Sequence, residues 1–458
     1  MIANVNWNDT SMQDSTAQSL LQLVLDRAKA AGADAADAVI DSSVASGVSF
    51  RLGNLEDVER SEGQDLGLRV MIGQRQASVS TTDLSEATLN TLADRCVDMA
   101  RTAPEDPFCG LAPKERLAKA PFPDLDLGDF QEPSTEVMKD KAAACEAAAL
   151  DVKGVTNSSG SSAGYGEGQA WLATSDGFFG TTRDSYHSVS VSVLAQNDDG
   201  METDYDYDSK AHVNDMRSPE QIGVRAGERT VQRLSPKKLK SRTAPVLYDK
   251  RLSSSLIGAL AGAVNGGAIA RGVSYLKDKM GERLFPETIN IIDDPHIRRG
   301  MGSRPFDGEG LTNERIDLIE RGVLTSWFLN SAQARQLGLQ TNARARRGTG
   351  GPPGSGSTNL YMEAGNVSFE ALMKQAGSGL LLTDMFGPQI NPNTGDYSVG
   401  CSGFWFENGE IDNPVSEITI AGNILEMFDT IIPADDLEFR GSTNAPSLLV
   451  QSMTIAGD

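Results

Sequence analysis

Three histidines are the imidazole candidates for a metal site in this sequence, and their spacing argues against one. A metallopeptidase zinc helix needs two histidines about one turn apart and a carboxylate that activates the bound water. His187, His212 and His296 are separated by 25 and 84 residues, so no two of them share a helical turn. The 4 cysteines include no Cys-x-x-Cys pair, which removes the usual thiolate site as well. We therefore expect no metal ligands and no cofactor in this chain.

Carboxylates alternate along the segment GMETDYDYDSK. Asp204, Asp206 and Asp208 could hold a hard cation through oxygen ligands, but the segment lacks the glycine and the distal glutamate of an EF-hand loop. As a strand, it places the three carboxylates on one face and the intervening tyrosines on the other. We favour this structural interpretation over a cation site.

Motifs for a nucleophile or for a bound phosphate are weak. The stretch GCSGFW around Cys401 does not form a G-x-S-x-G elbow, and no G-x-x-x-x-G-K-[ST] loop occurs. Cys96 lies on the inner stripe of a predicted helix, where a cysteine packs as a small hydrophobic residue. The residues alone give no complete catalytic constellation, and we predict no catalytic residue here.

Arg344, Arg346 and Arg347 form a basic spot beside the loop GTGGPPGSGS on a strongly acidic chain. Lys plus Arg number 41 and Asp plus Glu number 63, which gives a net charge of -22. Guanidinium groups suit carboxylates, so these arginines are candidates for contact with a peptide or a partner; the alternative is a solvated loop edge. The net charge itself disfavours direct binding of nucleic acid or of an anionic membrane.

The elements that position these residues divide the chain into three predicted domains. A length of 458 residues predicts two or three domains. We place them at residues 1–102, 131–234 and 246–458. A proline-rich linker at 103–130 and a basic linker at 235–245 separate them.

Hydrophobic periodicity predicts an α+β fold. The N-terminal domain is an antiparallel meander flanked by two helices, one at residues 15–31 and one that begins at Asp83 as its capping residue. The central α+β segment combines helices near 134–152 and 218–234 with strands such as SVSVSVLAQN. The C-terminal domain is a mostly antiparallel β domain with a buried helix of small residues.

No segment of this sequence has the composition of a membrane span or of a secretory signal. The longest weakly polar stretch falls short of the ~20 apolar residues that a span needs, and the first residues lack a basic region followed by an apolar one. Four cysteines are too few for a disulfide framework. We expect a cytoplasmic protein without a membrane partner.

Long ordered motifs run through almost the whole chain. In the C-terminal half they are FDGEGLTNERIDLIERGVLTSWFLNSAQARQLGL, TGDYSVGCSGFWFENGEI and PVSEITIAGNILEMF. Upstream they are GLRVMIGQRQASVSTTDLS and DYDYDSKAHVNDMRSPEQIGVRAGER. Together these motifs resemble the PmbA/TldE branch of the TldD/PmbA metallopeptidase family, which is also called modulator of DNA gyrase.

The resemblance implies a subunit of a cytoplasmic heteromeric zinc peptidase. In that family the TldD subunit carries an HExxxH helix and a later zinc-binding cysteine, whereas the TldE/PmbA subunit lacks both. The metal helix corresponds here to residues 256–268, with the histidine positions near Gly258 and Ala263 and the glutamate position near Ala259. The later cysteine is missing from RGSTNAPSLLV at 440–450. The family's substrates are unfolded or small peptides, including microcin precursors and antitoxins.

The small residues of this degenerate helix have two interpretations. They allow another backbone to approach closely, although each glycine costs a helix about 1 kcal/mol. The close neighbour is either the metal helix of a partner or an element of the same domain.

Three functional hypotheses follow. The first, which we adopt as the prediction, is a non-catalytic subunit that works with a zinc-carrying TldD-type partner. Without that partner, the chain can form a homodimer. The second is a binding or regulatory module that acts on gyrase or an antitoxin without proteolysis. The third is a stand-alone peptidase with an unusual nucleophile such as Cys401.

Overall fold

The computed structural model describes residues 12–457, apart from the side chains of residues 388 and 389, and it has the predicted α+β architecture. The first six strands are β1 (Ala35–Arg51), β2 (Asn54–Ile72), β3 (Arg75–Thr81), β4 (Val155–Thr174), β5 (Phe179–Asn197) and β6 (Gly200–Lys210). They form one antiparallel sheet in the order β3-β2-β1-β4-β5-β6.

The predicted antiparallel meander is strands β1 to β3. Arg51 pairs with Asn54 across the turn between β1 and β2, and Gly53 in that turn has φ +80°, a conformation that glycine adopts without strain. Strand β1 also pairs with β4. Strands from the predicted N-terminal and central domains therefore share a single sheet.

Four helices cover one face of this sheet: α1 (Asp14–Ala30), α2 (Glu86–Thr102), α3 (Thr135–Leu150) and α4 (Pro219–Gln232). Helices α1 and α2 pack over Ile40 and Leu68 at one end. Helices α3 and α4 pack over Val48 and Val191 at the other end. Ile40 and Val48 are an even number of positions apart on β1, so both point to the helical face.

Helix α2 begins later than predicted, because Asp83 is not its cap. The helix starts at Glu86, after Ser85. The Asp83 carboxylate instead accepts hydrogen bonds from the Ser85 backbone N–H at 2.9 Å and from the Thr88 hydroxyl at 2.6 Å. Such a local bond to the second following residue forms a turn in front of the helix.

The C-terminal half contains two mixed sheets with a core between them. Its elements are β7 (Arg242–Tyr248), α5 (Lys250–Ala263), α6 (Gly266–Ala270), β8 (Ile291–Asp294), β9 (Ile316–Glu320), β10 (Val323–Leu324), α7 (Ser331–Leu337), β11 (Ala345–Arg346), β12 (Gly354–Ser355), β13 (Asn359–Met362), α8 (Phe369–Ala376), β14 (Gly379–Ile390), β15 (Asp396–Glu407), β16 (Glu410–Asn423), α9 (Ile424–Thr430), β17 (Ile431–Pro433), β18 (Thr443–Asn444) and β19 (Leu448–Ala456).

Most strand pairs of this half are antiparallel, as predicted. The larger sheet has the order β16-β15-β14-β7-β19-β17, and the smaller one has the order β10-β9-β8-β13-β18. The parallel pairs are β14 with β7 and β13 with β18. Buried side chains of both sheets form one core with α5.

The helix of small residues begins and ends earlier than the predicted range 256–268. Helix α5 ends at Ala263, and Asn265 separates it from α6. The Asn265 side chain accepts a hydrogen bond from the Gly267 N–H at 3.0 Å, which satisfies a donor at the start of the new helix. The chain therefore breaks where Asn265 and two glycines follow one another.

The proline-rich segment connects the two halves of the molecule by direct contacts. Ala118 N–H donates to the Gly310 carbonyl at 2.8 Å. Phe122 packs on Phe306 with ring centroids 4.9 Å apart. Phe178, in the turn between β4 and β5, lies 5.1 Å from the same ring. Between residues 12 and 457, no helix has both the length and the apolar character that crossing a membrane requires.

Candidate functional site

Helix α5 carries the degenerate metal positions predicted from the sequence. Its buried face consists of Ser253, Leu256, Ile257, Leu260 and Ala263. Gly258 and Gly262 lie one turn apart on the opposite, exposed face. A methyl group added at either glycine would have no described atom within 4 Å. Close packing within the chain therefore does not explain these two glycines.

The segment that lacks the family's later cysteine lies beside this helix. The Ser253 hydroxyl donates to the Ala445 carbonyl at 3.3 Å, so residues 440–450 pass against α5. The two parts of the chain that the resemblance connects with zinc are thus neighbours in space. Gly258, Ala259 and Ala263 have no donor atom on their side chains, and these residues do not fit a zinc ion.

The three histidines contact three different acceptors, although His187 and His212 both contact the segment 126–129. Each Nε2 lies within hydrogen-bond distance of a different acceptor: His187 at 2.8 Å from the Asp129 carboxylate, His212 at 3.1 Å from the Asp126 carbonyl and His296 at 2.9 Å from the Asn313 side chain. In the part of the chain that the structure describes, no three His, Cys, Asp or Glu side chains are grouped to hold a metal ion.

Cys401 is a poor nucleophile in this environment. It is 1% exposed, and burial raises the pKa of its thiol to about 12, although the thiolate is the reactive form. Cys96 is fully buried in the core under α1 and α2, as predicted. These surroundings disfavour the hypothesis of a stand-alone cysteine peptidase.

The alternating carboxylates of β6 form ion pairs with arginines. Asp204, Asp206 and Asp208 are buried on one face of the strand, and the intervening tyrosines are exposed with their rings stacked at 6.3 Å. The arginines within ion-pair distance are Arg217, Arg229, Arg233, Arg251 and Arg440. The structural interpretation of this segment is therefore confirmed.

The hydrogen bonds within this cluster hold Asp206 in its ionised form. Burial raises the pKa of Asp206, but the hydrogen bond from Arg217 and the charges of Arg217, Arg229 and Arg225 outweigh it, and the pKa is lowered. A paired carboxylate of this kind has a structural role.

The three arginines beside the Gly/Pro/Ser loop have different surroundings. Arg344 is buried, and its Nε donates to Asp293 at 2.6 Å. Arg347 pairs with Asp37 of β1 at 2.9 Å. Arg346 is exposed and donates to the Ser357 carbonyl. Contact of these residues with a peptide or a partner stays a prediction, and Arg346 is the one whose surface faces solvent.

Two buried acids of the FDGEG motif were not singled out from the sequence. Asp307 accepts hydrogen bonds from the backbone N–H groups of Glu309, Leu311 and Ala345, and Glu309 accepts from the hydroxyl and the N–H of Ser331. Burial and the charge of Glu309 raise the pKa of Asp307, although the three backbone N–H groups oppose this shift. The spacing of two acids among glycines was the available indication, but it does not reveal their burial.

Sequence models of three domains match this chain. They are described as PmbA/TldA metallopeptidase domain 1, central domain and C-terminal domain, and they match residues 36–100, 128–234 and 241–457.

Two similar proteins span nearly the whole chain. The metalloprotease PmbA of Escherichia coli O157:H7 is 38% identical over 93% of this chain and 92% of its own length. The metalloprotease PmbA homolog of Haemophilus influenzae is 33% identical over 98% and 99%.

Solved structures have the same fold. A candidate modulator of DNA gyrase from Bacteroides thetaiotaomicron superposes with a TM-score of 0.90 at 28% identity, over 98% of this chain and 100% of that one. TldE from Thermococcus kodakarensis superposes with a TM-score of 0.84 at 17% identity, over 96% and 100%.

Proposed function

This chain belongs to the PmbA/TldD family of metallopeptidases, and we propose that it is a non-catalytic TldE/PmbA-type subunit of a heteromeric zinc peptidase. In this proposal a TldD-type partner carries the HExxxH helix and the zinc ion. This chain completes the assembly and contributes to the surface that holds the peptide. The observation that carries the proposal is helix α5, which the resemblance aligns with the family's metal helix and which has Gly258, Ala259 and Ala263 near the positions of the two histidines and the glutamate.

The surroundings of α5 support this division of labour. Residues 440–450 pass against the helix and also lack the cysteine that the family uses. Both contributions to a zinc site are therefore missing from the same place. Zinc chemistry needs nitrogen, sulfur or carboxylate donors, so hydrolysis has to come from the partner subunit.

The exposed face of α5 is a candidate for the partner interface. Gly258 and Gly262 leave open space above the helix, which allows a second helix backbone to come close. Glycine at exposed helix positions costs free energy in the isolated chain. A contact with the partner would explain why these positions are small.

We extend the proposal to substrates and location through the family. The substrates are unfolded or small peptides, such as microcin precursors and antitoxins, and the complex works in the cytoplasm. Arg346 is the candidate for contact with a peptide carboxylate or an acidic partner face, because it is exposed.

A second candidate function is a binding module that regulates gyrase or an antitoxin without proteolysis. The observation that favours it is the structural neighbour described as a candidate modulator of DNA gyrase, which is 28% identical over nearly the whole chain. It predicts biological activity in a strain that lacks any HExxxH partner. The non-catalytic subunit predicts that this activity disappears.

Metal analysis with and without a partner tests the proposed function. We expect the isolated chain to hold far less than one zinc ion and to cleave no peptide. We expect the complex to hold about one zinc per HExxxH subunit and to lose its hydrolytic activity when a chelator is added. The matched control is a complex whose partner has both motif histidines replaced by alanine. Stoichiometric zinc bound by the isolated chain's own side chains, or cleavage by it that a chelator does not stop, would contradict the proposal.

A further inference from the structure

A cavity of about 350 Å³ lies where the sheet of strands β1 to β6 meets the C-terminal half. One wall consists of side chains from β1, β4 and β5, and the other of residues 300–308 together with Arg347. This volume is at the lower end of the ~300–1,000 Å³ typical of small-molecule sites. Leu172 and Phe306 give the cavity an apolar part.

Arg304 lines this cavity as an unpaired cation. Its Nε is buried and has no hydrogen-bond partner among the described residues. The neighbouring Arg344 and Arg347, by contrast, pair with Asp293 and Asp37 at 2.6 and 2.9 Å. Burial lowers the pKa of Arg304 to about 10; the charge of Arg346 adds to this effect, and the charges of Asp293 and Asp307 oppose it. A guanidinium held in this way is destabilised until an anion approaches it.

Asp184 lines the sheet side of the cavity. Burial raises the pKa of Asp184, while the charge of Arg304 lowers it. The two groups therefore interact electrostatically, but they form no ion pair within the described residues. The other two charged groups of the lining are satisfied elsewhere: Arg347 pairs with Asp37, and Asp307 accepts three backbone N–H groups.

We propose that this cavity binds a small zwitterion, an amino acid or a dipeptide, with its free α-carboxylate on the Arg304 guanidinium and its α-ammonium facing Asp184. A planar guanidinium donates two parallel hydrogen bonds to a carboxylate, and the Arg304 side chain lines the cavity. The apolar part of the cavity accommodates the ligand side chain. The zwitterion site stands on the cavity alone; that the ligand is a product or a fragment of peptide hydrolysis rests on the proposed function.

Calorimetric titration of the full chain with alanyl-alanine, its C-terminal amide, its N-acetyl form and free alanine tests this site. We expect alanyl-alanine to bind at least about tenfold more tightly than its amide, or about 1.4 kcal/mol. The N-acetyl form should also bind more weakly, and Asp184→Asn should abolish that second difference. The comparison between alanine and alanyl-alanine shows which ligand length the cavity prefers.

Variants of Arg304 assign the effect to the cavity. Arg304→Gln should remove the preference for the free acid, and Arg304→Lys should retain part of it because the charge is kept. The matched control is Arg298→Gln, because Arg298 is 68% exposed in its side chain and pairs with Asp126 instead. We expect the control to bind like the wild type.

Equal affinity for the acid and the amide on the wild-type chain would overturn the inference, whether or not a variant folds. No binding of any of the four ligands up to about 10 mM, an affinity weaker than about 3 kcal/mol, would also overturn it, as would wild-type affinity in a folded Arg304→Gln chain. Hydrolysis by the complex with an HExxxH partner is measured separately. If the wild-type chain does not bind the zwitterion but the complex hydrolyses peptides, this site is rejected and the proposed function is kept. If the chain binds the zwitterion but the complex does not hydrolyse peptides, only the proposed function is rejected.

Discussion

Arg344 and Arg346 lie two positions apart in the sequence and perform different structural tasks. The Arg344 guanidinium is fully buried, and it donates to Asp293 and to the Glu314 carbonyl at 2.6 Å each. Asp293 also accepts from the N–H and the hydroxyl of Thr358. Arg346 is exposed at the edge of the loop. One arginine thus organises the interior, and the other is available at the surface.

Replacing Arg344 by methionine should destabilise the chain far more than the same change at Arg346. Arg344→Met leaves the buried Asp293 carboxylate without its counter-ion, which costs about 3–5 kcal/mol. Arg346→Met removes an exposed side chain and should change the free energy of unfolding by no more than about 0.5 kcal/mol. Urea unfolding of the two variants, followed by circular dichroism, measures the difference. Similar losses in both would show that the Arg344–Asp293 pair is not what holds this region.

Residue spacing predicted some of this chemistry but not the arginine environments. The spacing of the three histidines excludes only a shared helical turn, which requires close spacing in sequence. The partner of Arg344 is Asp293, which lies 51 residues away. No local pattern connects two such residues, so burial of one arginine and exposure of the next could not be derived from the sequence.

At the scale of elements, the glycines on α5 and the glycine just after it are small for different reasons. On its outer face, an added methyl group at Gly258 or Gly262 would have no described neighbour within 4 Å. Just beyond its end, a methyl group at Gly266 would lie 2.5 Å from the Phe328 carbonyl oxygen. Gly266 is therefore small because of the chain's own packing, whereas Gly258 and Gly262 are not.

Alanine at Gly258 and Gly262 should stabilise the isolated chain and weaken the proposed complex. Each change improves helix propensity by up to about 1 kcal/mol, which thermal unfolding of the chain alone would detect. If α5 packs against the partner, the added methyl groups separate the two backbones, and affinity for the partner falls in a pull-down or titration. Gly266→Ala is the control, because it should destabilise the isolated chain. Unchanged partner affinity in the double alanine variant would remove α5 from the interface.

Periodicity was most informative for elements with one buried face. The alternation in the meander and the helical stripe of residues 15–31 both correspond to observed elements, since each pattern repeats with the geometry of the backbone. The predicted start of α2 was wrong because Asp83 can either cap a helix or close a turn. The predicted end of α5 was wrong because small residues occur both in helices and at the breaks between them.

At the scale of the whole molecule, buried ion pairs connect the sheet of strands β1 to β6 to the C-terminal half. Asp204 of β6 pairs with Arg251 of α5 at 3.0 Å. Arg233, which follows α4, contacts Asp384 of β14 at 3.0 Å and the Ser402 hydroxyl at 2.7 Å. These contacts cross the basic segment that the sequence marked as a linker. The two halves are therefore held by charge pairing as well as by the aromatic contacts of the proline-rich segment.

The sequence predicted the class of each part but not how the parts are joined. Pairing of β1 with β4 brings together residues more than 100 positions apart, such as Val44 and Glu167. An alternating pattern states that a strand has one buried face, but it does not identify the neighbouring strand. The single sheet across two predicted domains, the cavity at the junction and the unpaired Arg304 all depend on such long-range neighbours.

A double-mutant cycle on Asp204 and Arg251 should show that this junction is energetically coupled. Both side chains are at most 4% exposed. Removing either partner leaves a buried charge with only its weaker second pair, Arg233 at 3.4 Å for Asp204 and Asp249 at 3.5 Å for Arg251, and should cost up to about 3–5 kcal/mol. Removing both should cost less than the sum, with a coupling of about 1–3 kcal/mol. The same cycle on Arg27 and Asp94, whose side chains are 44% and 41% exposed, is the control and should give a much smaller coupling. Urea titration of the wild type and the six variants supplies all seven unfolding free energies. Additive losses at Asp204 and Arg251 would mean that the two halves are held together by other contacts.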